Sequence, residues 1–174
     1  MPVFEGGFAA IEAEFVAVIA DDAPPEKRGW KLGEVGSIIA DLRIGIEIAS
    51  SPLRAINDLG PCVVISDFGN NAGLIVGPSI RDWRTRSLDS MRCETYVEGQ
   101  SVGRGGAFSS SGGFLRSVQF ALELGAARGR PLCAGQGVAT GQTTGIHDVV
   151  AGQEGRVSFG EDGELRCRLR AAQP

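Results

Sequence analysis

The chain has 174 residues, 43% of them hydrophobic and 22% charged, with a net charge of −4. That length suits one domain around a single core. The charge excludes the basic footprint of a nucleic-acid-binding or anionic-membrane-binding surface. With no run of eighteen apolar residues and no signal-peptide pattern, a cytoplasmic protein is expected.

In chain order, Ile11 to Ala20 reads as a strand ended by the turn-forming DDAPP. EVGSIIADLR, Glu34 to Arg43, carries apolar residues at helical spacing and predicts a short helix. Ile44 to Ala49 reads as a buried strand, and Arg54 to Leu59 as one or two helical turns. DFGNN, Asp67 to Asn71, predicts a turn and Ala72 to Gly77 a short strand. After a charged connection over 78 to 91, Met91 to Val97 alternates as a strand and EGQS turns the chain into a hairpin at Val102. Ser111 is a plausible N-cap for a helix ending near Arg128, with Phe114, Val118, Ala121, Leu122 and Gly125 on one face. Short strands are expected at Gly137 to Thr140, Gly155 to Phe159 and Glu164 to Arg170. No phosphate loop or dinucleotide fingerprint follows a strand. The expected class is mixed α/β, mainly β, with a few helices.

Three carboxylates stand out against this pattern. Glu12 and Glu14 lie in IEAEFVAVIA and Glu47 in IGIEIASSPL, all within β-prone apolar runs where an unpaired carboxylate is costly. Strand alternation puts Glu12 and Glu14 on one face. With a third carboxylate from a neighbouring strand, they would form an oxygen site for a hard ion such as magnesium. By spacing alone, E-x-E is equally a pattern of solvated sheet faces.

Cys62, Cys93, Cys133 and Cys167 are about thirty to forty residues apart without a C-x-x-C pair, and read as small buried hydrophobes in a reducing compartment rather than a zinc site. The lone His147 excludes a multi-histidine site and reads as structural or solvated. The 26 glycines are spread through the chain, which points to many short elements joined by tight turns.

A series of segments carries a resemblance. They are EAE at 12–14, IEIASS at 46–51, SDFGNNAGLIVG at 66–77, DWR at 82–84, GQSVGRG at 99–105, RGRPLCAGQ at 128–136, TGQTTGIHDV at 140–149 and the closing FGEDGELRCRLR. Together, and in this order, they resemble the 2-keto-4-pentenoate hydratases of the fumarylacetoacetate hydrolase superfamily. The resemblance implies a β-roll read as one domain over 1–174, the catalytic part of a hydratase-like protein. It implies Mg²⁺ or Mn²⁺ at Glu12, Glu14 and Glu47, and a substrate loop of Thr140, Gly141, Gln142, Thr143 and Thr144. It maps Asp67 and Asn71 as catalytic candidates, whose alternative is a self-bonded turn. Ser111 maps near the substrate, where helix capping is the alternative.

The activity so implied is addition of water to a 2-hydroxy-2,4-dienoate, giving a 4-hydroxy-2-oxo acid in aromatic-compound catabolism. A 4-oxalocrotonate decarboxylase-like enzyme and a non-catalytic subunit are the other readings. The implied partners are a small 2-oxo or 2-hydroxy acid and a second copy or related chain in an oligomer. Two features depart from the family pattern: Ser50 and Pro52 stand where it has an aspartate and an arginine. The lysine-bearing segment expected upstream of E-x-E has no counterpart in the eleven residues before Glu12, and Lys27 and Lys31 read as solvated loop residues.

Overall fold

The computed structural model describes residues 1–173. Strand β1 (Pro2–Val3) leads into the long strand β2 (Phe8–Ile19). A short helix α1 (Leu32–Val35) and a 3₁₀ turn (Gly36–Ile38) precede β3 (Ile39–Ser51), which pairs antiparallel with β2 from Phe8↔Ser51 to Ile19↔Ile39. A 3₁₀ turn (Ile56–Asp58), helix α2 (Pro61–Ser66) and a further 3₁₀ turn (Phe68–Asn70) connect β3 to β4 (Asn71–Ser79). The hairpin β5 (Arg92–Val97) and β6 (Gln100–Gly106) is followed by helix α3 (Gly113–Ala127). Short strands close the chain: β7 (Gly137–Ala139), β8 (His147–Asp148), β9 (Glu154–Ser158), β10 (Glu164–Arg168) and β11 (Arg170–Ala171).

Two larger sheets result, in the orders β4-β3-β2-β7 and β10-β9-β5-β6, beside a two-stranded one. β8 also pairs with β2, and β1 pairs with β11. Alternation on the two long strands decides what faces the core. Ile11, Ala13, Phe15, Ala17 and Ile19 of β2 join Leu42, Ile44, Ile46 and Ile48 of β3 in one apolar cluster with Val157 of β9 and Phe159 just beyond it. Phe15 meets Phe159 edge-on, with ring centroids 5.6 Å apart. Side chains of this size contribute about 1.5–3 kcal/mol each on burial. The opposite face of the same strands carries Glu12, Glu14 and Glu47, between Ala10 and Val16 of β2. The architecture is the mixed, mainly β roll with few helices that the sequence led us to expect. Among the described residues no helix is long and apolar enough to cross a membrane.

Several local expectations fail for identifiable reasons. The helix expected over Glu34 to Arg43 is one turn of α1 and a 3₁₀ turn; from Ile39 the chain is strand. The spacing of Val35, Ile38, Ile39 and Leu42 fits a helix, but from Ile39 the chain pairs along the length of β2, and tertiary context overrides local propensity. Ser111 is not the N-cap of α3. Gly112 holds that position in the left-handed region with φ 82°, which a glycine adopts without strain. Helix α2 was not foreseen, and its one signal is Pro61 at N1 after Gly60. Cys93 is buried, whereas Cys62 and Cys133 are exposed, so two of the four cysteines are not core residues.

Candidate metal centre

Glu12 of β2 lies directly opposite Glu47 of β3, and Glu14 is opposite Gly45, two residues along. Directly opposed residues of an antiparallel pair share a face, and the diagonal neighbour is within reach of a long side chain. A carboxylate oxygen from each of Glu12, Glu14 and Glu47 consequently lies within 4.8 Å of the others. The glycine makes this possible. A Cβ at Gly45 would stand 2.7 Å from Val16 Cγ2 and 3.5 Å from Glu14 Cβ, so any side chain there would crowd the strand beside the cluster.

Glu14 is only 1% exposed, while Glu12 and Glu47 are half-buried. Burial first, and the Glu47 charge second, push the Glu12 carboxyl up to about 7. The same two causes, eased by the Gly141 amide, push Glu14 up to about 8. Such a group of acids is costly to ionise by itself and becomes cheap to ionise around a cation. The donors are all oxygens, the set that hard divalent ions such as magnesium and manganese take.

Two neutral donors orient the carboxylates. Asn71 Nδ2 donates to Glu47 Oε1 at 2.6 Å, and the Gly141 amide donates to Glu14 Oε2 at 2.7 Å. Each occupies one oxygen and leaves the other oxygen of that carboxylate, plus both of Glu12, for an ion. The Gly141 amide is in place because its loop is pinned to the edge of β2 on both sides of Glu14. Thr140 donates its amide and hydroxyl to Phe15 O, at 3.1 and 2.8 Å, and Thr143 does the same to Ala13 O, at 3.0 and 2.9 Å. From the other side, Ser117 of α3 donates to Thr140 O and Ser109 to Thr143 O, both at 2.6 Å.

The residues of the substrate loop expected from the sequence have distinct surroundings. The hydroxyls of Thr140 and Thr143 are buried and engaged with backbone carbonyls, so they hold the loop in place. Thr144 is turned toward Thr95, with the hydroxyls 2.8 Å apart, and toward His147 Nε2 at 3.2 Å. Gly141 and Gln142 remain exposed, and Gln142 Oε1 accepts the Gly145 amide at 2.6 Å. Ser111, Thr140 and Gly141 line one cavity of about 430 Å³.

Asn71 and Asp67 separate. Asn71 reaches Glu47, which a self-bonded turn would not allow. Asp67 ends α2, its carbonyl accepting the Asn70 amide at 2.8 Å, and its Oδ2 is buried without a partner among the described residues. Ser50 joins the strand ends, donating to Phe8 O at 2.9 Å and accepting the Phe4 amide at 3.0 Å. Lys27 pairs with Glu34 at 3.0 Å and lies over Trp30, so it is engaged rather than freely solvated. His147 is half-buried beside Thr144, and burial lowers its imidazole. Sequence reasoning missed Gly45 and Ser117; the glycine inside a β-branched run was the one available signal.

No protein-family model matches the chain, and no curated protein sequence matches it. Solved structures do. The chain is similar to 4-oxalocrotonate decarboxylase from Pseudomonas putida G7, complexed with calcium and acetate, at 24% identity and a TM-score of 0.81 over 93% of this chain and 60% of that one. A second structure of that enzyme, complexed with magnesium and adipate, gives a TM-score of 0.80. Fumarylpyruvate hydrolase from Pseudomonas aeruginosa, in complex with Mn²⁺ and pyruvate, is 17% identical, with a TM-score of 0.71 over 95% of this chain and 67% of that one. A fumarylacetoacetate hydrolase family protein of yeast is 13% identical, with a TM-score of 0.69 over 98% of this chain and 70% of that one. The chain therefore has the fold of the fumarylacetoacetate hydrolase proteins. It spans 60% of the length of the decarboxylase.

Proposed function

We propose that this chain is a divalent-metal-dependent enzyme of small 2-oxo or 2-hydroxy acids, working as a hydratase that adds water to a 2-hydroxy-2,4-dienoate in aromatic-compound catabolism. The observation that carries the reading is the convergence of Glu12, Glu14 and Glu47 within 4.8 Å on the sheet face opposite the core. The similar structures are complexes with a divalent cation and acetate, adipate or pyruvate, small carboxylic acids that suit such a centre.

Magnesium or manganese, when bound there, would supply a Lewis acid for the 2-oxo oxygen and carboxylate of such an acid. The chain's own residues do the rest. Glu12, Glu14 and Glu47 would hold the cation, Asn71 and the Gly141 amide fix two of those carboxylates, and Gly141 also lines a cavity with Thr140 and Ser111. Asp67, with its unpartnered buried oxygen, is the acid/base candidate nearest in sequence to Asn71. Four free thiols favour the reducing cytoplasm, and the exposed Ile65 and Phe68 favour assembly into an oligomer.

A second reading, a 4-oxalocrotonate decarboxylase-like enzyme, draws on the likeness to that fold. Either reaction would use the same three carboxylates to hold the ion. The test is an absorbance assay of the purified chain on 2-hydroxypenta-2,4-dienoate and on 4-oxalocrotonate, with magnesium and with chelator, alongside measurement of released carbon dioxide. Magnesium-dependent loss of the dienoate supports the hydratase; carbon dioxide release from the second substrate supports the decarboxylase. Activity on either that is indifferent to chelator overturns the metal reading.

A further inference from the structure

We propose that Phe68 is a clamp of the metal centre: when an acid is held at the three carboxylates, the turn before Asn71 rearranges and lays the Phe68 ring over the acid's carbon chain. The inference rests on the metal-centre reading and adds a residue that contacts the acid. Phe68, Gly69 and Asn70 all lie in the left-handed region, with φ of 52°, 72° and 52°. Glycine and asparagine tolerate that conformation, but a phenylalanine there is an outlier, and left-handed residues ordinarily occur singly. Packing does not compensate, because the Phe68 side chain is 89% exposed. Next to it, Asp67 Oδ2 is buried with no partner among the described residues. A strained backbone, a ring in water and an orphaned carboxylate oxygen thus fall on two adjacent residues. Strain of this kind concentrates at ligand clamps and switch segments.

The turn is placed and hinged for the task. Asn71, which ends it, donates to Glu47 Oε1 at 2.6 Å, and three residues of chain span at most about 11 Å, so Phe68 is tethered beside the carboxylates. Register puts Leu74 opposite Glu47 and Val76 opposite Gly45, so β4 flanks the acids with apolar side chains on the Asn71 side. A carbon chain lying along β4 has Phe68 as its neighbour. Ile56 is fully buried, but α2, between it and the turn, has no buried residue, so little packing resists the movement.

The test uses the purified chain with 2-oxopentanoate as the probe acid. Phe68→Trp puts an indole on the clamp, against Trp30 and Trp83, which are buried. With magnesium alone its emission should be that of an indole in water, and added 2-oxopentanoate should move it to shorter wavelength; the unmodified chain should show no such move. By calorimetry, Phe68→Gly should weaken 2-oxopentanoate about tenfold and leave magnesium affinity unchanged. Emission that stays in place while calorimetry shows magnesium-dependent binding, or an acid affinity unchanged in Phe68→Gly, overturns the clamp and leaves the metal centre standing. Emission already at short wavelength before the acid is added, and dependent on protein concentration, means that the ring is covered by a second copy and also overturns it. If 2-oxopentanoate does not bind the unmodified chain in a magnesium-dependent way, the metal-centre reading fails, and the clamp with it.

Discussion

Glu12 on β2 and Glu47 on β3 are direct cross-strand partners, two acids facing each other on the sheet's polar face. Like charges so placed destabilise a sheet unless a cation or a proton intervenes. Replacing one should therefore help the empty protein and harm the loaded one. Glu47→Gln is expected to stabilise the metal-free chain by roughly 1 kcal/mol, about 2–4 °C in Tm for a chain of this size. The same variant should lose most of the Tm gain that magnesium gives the unmodified chain. A scan with and without magnesium reads both, and an undiminished magnesium gain would exclude Glu47 as a ligand.

The raised carboxyls give a pH dependence with a definite sign. Glu14 sits at about 8 and Glu12 at about 7 when folded, against 4.5 for the ordinary group. Between 4.5 and about 8 the folded state holds protons that the unfolded chain has released. The contribution of these two acids to metal-free stability should therefore fall as pH rises through that window, and be level above and below it. Urea midpoints taken in chelator near pH ~5 and ~8.5 check the slope, which is expected to be negative. Because a cation displaces these protons, magnesium affinity should rise over the same range. Equal midpoints in chelator would mean that the two acids are not buried as described.

Asn71 holds Glu47 through its amide at 2.6 Å and makes no claim on the ion itself. Asn71→Ala should weaken magnesium binding about ten- to a hundredfold, the usual cost of losing a group that orients a ligand. Asn71→Ser keeps a hydroxyl at the position but not the reach, and should behave as Asn71→Ala does. Calorimetric titration separates this from a folding defect, provided that far-ultraviolet circular dichroism is unchanged.

Gly45 is required by space, not by backbone conformation. Gly45→Ala places a methyl 2.7 Å from Val16 Cγ2 on a central strand. A cost of about 1–3 kcal/mol is expected, the range for overpacking. Magnesium binding should weaken as well, because the displaced Val16 adjoins Glu14 along β2. A variant as stable as the parent would show that the strand yields at no cost.

Lys27 and Lys31 test whether either is the base that the family pattern supplies from elsewhere. Lys27 is committed to Glu34 and Trp30, and Lys31 is exposed at the start of α1. Lys27→Ala should lower stability by about 0.5–1 kcal/mol through the lost cation–π contact. Neither Lys27→Ala nor Lys31→Ala should alter magnesium-dependent binding of oxalate. A large drop in oxalate affinity from Lys31→Ala would place that lysine at the centre.

The sequence by itself determined the β2 and β3 strands, their buried faces, α3 and the β5–β6 hairpin, because alternation, helical spacing and turn residues are local properties that each segment carries alone. It also singled out Glu12, Glu14 and Glu47, since an acid in an apolar strand is costly and therefore conspicuous. Tertiary structure decided the rest. The register Glu12↔Glu47 exists only once β2 and β3 are paired, and a slip of one residue would send Glu47 into the core. Pairing also turned Ile39 to Arg43 from an apparent helix into strand. The uses of Thr140 and Thr143 as staples, and of Asn71 and Gly141 as donors to the carboxylates, join residues 24 to 130 positions apart. Such contacts leave no periodic trace, because they depend on where the chain returns rather than on what stands beside each residue.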